Sequence, residues 1–129
     1  MSMGPVASEA GKTRARHAEA ERTSHELWEH CRNSLGIARL LVQEGRAKAL
    51  VETACRMTVE SACRAGLAQS GLAFDGDVVR ALWLLAAPRD LLASGPDEPA
   101  AARLAAAERV VGWVADYLRS EAPEHPWGY

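Results

Sequence analysis

The chain has 129 residues and a formal net charge of −2, which excludes a wholly basic nucleic-acid-binding surface and leaves room only for a local patch. With 48% hydrophobic and 25% charged residues, the composition is that of a soluble globular domain, long enough to bury roughly two-thirds of the surface its unfolded chain exposes. Only 5% of residues are aromatic, while Ala and Leu are abundant. That balance favours helix, where Ala loses no side-chain entropy and Leu little.

Residues 1–22 are small, polar and charge-rich, and are expected to form a mobile arm. Gly4-Pro5 and Gly11 should interrupt an early helix, so helix is expected only from about Thr13 onward. "GKT" at 11–13 has the look of a phosphate-binding loop, but Gly4 is at the wrong spacing and no strand precedes it. This stretch also lacks an apolar run resembling a signal peptide. The longest apolar run, 81–88, is far shorter than the roughly 20 residues a membrane helix needs. Three cysteines without a CxxC motif fit a reduced compartment. A soluble, cytoplasmic protein without membrane association is expected.

The first helix is expected over 24–44, capped by Thr23 or Ser24, with Leu27, Cys31, Leu35, Ala38 and Leu41 on one face. Gly45 is placed to cap its end. The second helix is expected over 46–69 and closed by Gly71. Along it Ala47, Val51, Ala54, Thr58, Ala62 and Ala65 fall within about 80°, a seam of small residues suited to close helix approach. Leu50 and Met57 widen its apolar face. Asp75 or Asp77 can cap a third helix over 77–93, with Val78, Leu82, Leu85 and Leu92 inward. Pro88 should kink or divide it. Ser94-Gly-Pro-Asp-Glu-Pro99 is the strongest break in the chain. A last helix over 99–120 carries Leu104, Ala107, Val111, Val114 and Leu118 inward, with Pro99 in its first turn. Trp28, Trp83 and Trp113 sit on or beside apolar stripes and are expected in core or helix–helix packing. No alternating run suggests a strand. The expected fold is all-α, a four-helix up-and-down bundle over 23–121, followed by an aromatic tail over 122–129. In that tail, Trp127 and Tyr129 either fold back on the bundle or anchor a second chain.

Residues 52–64 repeat themselves: Glu52-Thr-Ala-Cys-Arg56 is followed by Glu60-Ser-Ala-Cys-Arg64. An eight-residue offset on a helix gives about 12 Å of rise and an 80° turn. Cys55 and Cys63 therefore cannot form a disulfide, nor share one tetrahedral zinc. Glu52, Arg56, Glu60 and Arg64 are each four apart and can form a ladder of ion pairs. The sharper alternative is that Arg56 and Arg64 bind phosphate or a carboxylate. Cys63 falls toward the charged face and, if exposed, is a candidate reactive thiol. His25 and His30, five apart, diverge by about 140°, and no histidine from another helix joins them, so no metal site is expected. The chain lacks a Gly-x-Ser-x-Gly elbow and paired Glu-x-x-His motifs. No cofactor is expected.

The stretch "SLGIARLLVQEGRAKALVETACRMTVESACRAGLAQSG" resembles the first two helices of HEPN domains, a helix, a glycine-bearing turn and a long helix of small residues ending in glycine. "AAARLAAAERVVGWVADYLR" is similar to the closing HEPN helix, so the resemblance covers residues 24–120. It implies a small helical bundle, often homodimeric and often encoded beside a nucleotidyltransferase. Catalytic members resemble toxin ribonucleases that act without metal through an Arg-x(4–6)-His motif. The match here is Arg119-Ser-Glu-Ala-Pro-Glu-His125. It departs from the family pattern by lying after the last helix and containing Pro123. The resemblance thus implies a non-catalytic binding or assembly module whose partner is itself, a nucleotidyltransferase, a nucleotide or RNA. Within a ribonuclease, His125 would be the general acid or base and Arg119 would stabilise the phosphate.

Overall fold

The structure is a computed structural model that describes residues 4–92 and 98–129, with side chains from residue 11 onward except that of Thr13. It contains α1 (Gly4–Gln43), α2 (Lys48–Gln69), α3 (Val78–Leu84) and α4 (Ala100–Glu121). Among the described residues there is no strand, and no helix is long and apolar enough to cross a membrane. The protein is all-α.

The helix ends follow their local chemistry. Gly45 and Gly71 adopt φ of +65° and +73°, where a Cβ would be strained. After Gly45, Arg46 N donates to Leu41 O; after Gly71, Leu72 N donates to Leu67 O. These are the six-to-one bonds that close a helix on a left-handed residue. At the start of α3, Asp77 caps by accepting from Arg80 N at 3.1 Å, and Asp75 in turn accepts from Asp77 N at 2.9 Å.

Two elements differ from the sequence expectation. Residues 1–3 of the expected arm lie outside the described residues, and from Gly4 onward the arm is continuous with α1. Pro5 falls in the first turn, where its missing N–H leaves no bond unmade. Gly11 is tolerated within the helix at a cost of about 1 kcal/mol against Ala. "GKT" is therefore helical rather than a loop.

The third helix is much shorter than 77–93. It ends at Leu84, and Ala86 takes φ 64° while Ala87 N donates to Leu82 O at 2.9 Å. Pro88 explains the early stop: it disfavours helical backbone at Ala87, so the chain turns before reaching it. Residues 93–97, with most of the expected Ser94–Pro99 break, lie outside the described residues. The chain re-enters helix after Pro99, which caps α4 in extended backbone.

Among the described residues α1, α2 and α4 all touch one another, whereas α3 touches only α2 of the helices. The α1–α2 seam is the one of small residues: Val51, Ala54, Thr58, Ala62 and Ala65 are buried. Ser24 Oγ donates to Ala65 O at 2.8 Å across it, and Thr58 Oγ1 donates to Ala54 O, so neither buried hydroxyl is left unpaired. With only the residues 44–47 between them, α1 and α2 run antiparallel. Val110, Val111, Val114 and Leu118 close the core from α4, and Trp28, Cys31, Leu35 and Ala38 close it from α1. Gly66 admits Leu85: a Cβ there would lie 2.8 Å from Leu85 Cδ1. Arg39 joins α1 to α4 by donating from both Nε and Nη2 to Glu108 Oε2.

Candidate functional site

The tail carries the sequence's one Arg-x(4–6)-His match, Arg119 to His125. It folds back on the bundle. Trp127 is buried at 1% exposure, with Nε1 donating to Ala122 O at 2.8 Å. Its ring meets Trp28 edge-on at 6.2 Å. Trp28 Nε1 donates to Gly128 O, and Tyr129 packs edge-on to Trp28 at 6.3 Å. Gly112 leaves room for the Tyr129 hydroxyl, which would stand 3.0 Å from a Cβ at that position. Arg119 and His125 serve this arrangement. Arg119 Nη2 donates to Trp127 O at 3.1 Å while Nη1 pairs with Asp116 at 2.8 Å. His125 Nε2 lies 3.2 Å from Glu21 Oε2 on α1, and its ring is 5.6 Å from that of Trp127.

The histidines of α1 divide. His25 belongs to the same cluster, 5.8 Å from the His125 ring and 5.9 Å from Trp127. His30 is exposed. Among the described residues no group of three or more His, Cys, Asp or Glu side chains is placed to hold a metal ion.

The doubled segment does not form its expected ladder. Glu52 instead lies 3.8 Å from Lys48 Nζ and 3.8 Å from Arg103 Nε of α4. Arg64 lies over the Phe74 ring, 5.0 Å from its centroid, a cation–π contact. Arg56 is exposed and lines a groove between α2 and α4. The expectation for Cys63 is reversed. It is fully buried, as is Cys31, and burial pushes both thiols up to about 12. Neither has the low-pKa thiolate that reactivity requires. Cys55, at the floor of the groove, is also raised by burial.

The remaining feature is apolar surface. Trp83, expected in core or helix–helix packing, is 73% exposed beside Val79, because α3 ends after two turns and none of the described residues covers its outer face. On the long hairpin, Ile37 and Leu40 of α1 and Leu50 and Met57 of α2 are each about half exposed (56%, 52%, 46% and 53%). The α1–α2 register set by Ser24 and Ala65 brings Ile37 level with the start of α2, so Ile37, Leu50 and Met57 border the same seam. Arg39 reaches α4 from the other side of α1, so this apolar edge faces away from α4. The signal was present in the sequence: Ile37 and Leu40 fall outside the stripe formed by Leu35 and Ala38, leaving α1 apolar on a second side. Trp113 is half-buried and stacked on Tyr117 at 5.9 Å.

Compared with known proteins, the chain matches no family model, and no curated protein or solved structure is significantly similar to it.

Proposed function

We propose that the chain is a non-catalytic helical assembly module, a HEPN-like four-helix up-and-down arrangement with a shortened third helix, that acts as a homodimer. The observation that carries this reading is the half-exposed Ile37, Leu50 and Met57 along the α1–α2 edge, with half-exposed Leu40 next to Ile37 on the outer side of α1. Isolated exposed aliphatic residues are ordinary, but three bordering one helix–helix seam, with Leu40 beside them on the outer side of α1, form a ready interface. The small-residue seam and the Trp-bearing α4 are less suited to a second chain: the seam is spent on α1–α2 packing, and Trp113 stacks within α4. An isologous contact between two such edges would give the dimer a hydrophobic centre. A nucleotidyltransferase, nucleotide or RNA partner would then bind the assembled dimer.

Sedimentation velocity tests the reading. The protein should be a dimer at micromolar concentration, and Ile37→Glu with Met57→Glu should give a folded monomer of unchanged helical circular dichroism. A monomeric parent protein would overturn it.

A ribonuclease reading has one observation in its favour, that Arg119 and His125 meet the same residue, Trp127. Their bonds to Asp116, a tail carbonyl and Glu21 favour a holding role instead. If RNA cleavage is found and is lost in both Arg119→Ala and His125→Ala while the fold survives, the ribonuclease reading replaces the assembly reading.

A further inference from the structure

Arg56 lies on the flank of α2 opposite the apolar edge, about 100° from Met57 and 120° from Leu50 around the helix. There α2, α3 and α4 enclose a groove of about 360 Å³, within the lower range of small-molecule sites. Its floor is apolar: Cys55 and Val59 of α2, Val78 of α3 and Ala107 of α4, with Leu92 at one side. Its polar groups, Glu52, Arg56 and Arg103, are all charged. Glu52 is shared between Lys48 and Arg103, each at 3.8 Å. Arg56 makes no ion pair or side-chain hydrogen bond with any described residue. Two guanidiniums, Arg56 and Arg103, thus line the groove beside Glu52, and Arg56, without an acidic partner among the described residues, opens on an apolar floor.

That combination selects a ligand. A cation would meet the like charge of Arg56. A neutral hydrocarbon would leave the guanidinium without an acceptor. A carboxylate gives Arg56 a two-pronged, charge-assisted partner, while an apolar body covers the floor. We propose that this groove binds a small amphipathic carboxylate, its acid group on Arg56 and its aliphatic or aromatic body over Cys55 and Val59. The proposal is independent of dimerisation, since the groove and the apolar edge lie on different flanks of α2.

Octanoate is the probe, measured by calorimetry on the full chain with octanol and octylamine as controls. Saturable octanoate binding is expected by about 1 mM, with octanol and octylamine at least roughly tenfold weaker. Arg56→Gln should weaken octanoate by about tenfold or more, the loss of a charge-assisted bond, and leave octanol unchanged. Arg56→Lys should retain part of the affinity. A second readout does not depend on a variant: octanoate should slow alkylation of Cys55 by iodoacetamide at pH 9, followed by mass spectrometry, because Cys55 is the one cysteine lining the groove. The proposal is overturned if octanoate does not saturate, if octanol binds as well, if Arg56→Gln binds octanoate like the parent, or if Cys55 is not protected.

Discussion

The tail over 122–129 and the stretch from α3 to residue 92 are built from similar material: a tryptophan, one or two prolines and a few apolar residues after a helix. Yet Trp127 is 1% exposed and Trp83 is 73% exposed. The difference lies in what each backbone finds to bond with. The tail carbonyls are taken up by donors outside the tail, Gly128 O by Trp28 of α1 and Trp127 O by Arg119 of α4, so the ring is held where α1 can cover it. Around α3 the backbone bonds are local, and among the described residues α2 is the only helix it touches. A large aromatic is buried when its surroundings fix it, not because it falls on a local stripe.

The widest test of this contrast is a pair of identical substitutions. Trp127→Ala should lower unfolding stability by about 3–5 kcal/mol, as for other large core deletions. Trp83→Ala should change it by less than about 0.5 kcal/mol. Urea denaturation followed by far-UV circular dichroism measures both. Comparable losses would break the contrast and would mean that Trp83 is covered in solution.

The thiols extend it into the core. Cys31 and Cys63 are raised from 9.0 to about 12 by burial, so the folded state holds their protons more tightly than the unfolded chain does. Their contribution is fully present below pH 9 and is lost as pH rises from 9 toward 12, because the unfolded thiols ionise first. The loss should be roughly 1 kcal/mol per thiol per pH unit in that window. Urea midpoints for the parent and for Cys31→Ala/Cys63→Ala, compared at pH 8 and pH 10.5, should therefore fall more steeply for the parent. Equal falls would mean that the two thiols are not sealed in the core.

A smaller effect is expected at the bond that ties α4 to the tail. Arg119→Ala removes the donor to Trp127 O and should cost about 1 kcal/mol. The exposed Asp116 pair contributes little of that, so Asp116→Ala should be close to neutral. If the two variants lose the same amount, the tail is not held through Arg119.

Much of this architecture was legible in the residues. Gly45, Gly71 and Asp77 end or begin helices for reasons of backbone geometry, and such reasons act within four residues. The inward stripe of α4 was equally plain. What the sequence hid were outcomes decided by distant partners. Trp127 depends on Trp28, about a hundred residues away. Glu52 had Arg56 at helical spacing but went to Lys48 and to Arg103 of another helix. Cys63 falls toward the charged face of an isolated helix, but in the fold it is fully buried. The groove beside Arg56 required α2, α3 and α4 to be placed together, and Arg103 carried no local sign of belonging to it.

Ala86 gives the finest test, because it asks why α3 stops where it does. Its φ of 64° costs a residue with a Cβ roughly 1–2 kcal/mol, and the two comparable turns in this chain use Gly45 and Gly71. Ala86→Gly should relieve that strain while giving the unfolded chain more freedom, for a net gain of about 0.5–1 kcal/mol in stability. Ala105→Gly, exposed in the interior of α4, should instead lose about 1 kcal/mol. Opposite signs for one chemical change, read from urea unfolding, would locate the strain at Ala86. A loss at both positions would mean that residue 86 is helical in solution and that α3 runs on toward Pro88, which would also bring Trp83 under cover and narrow its contrast with Trp127.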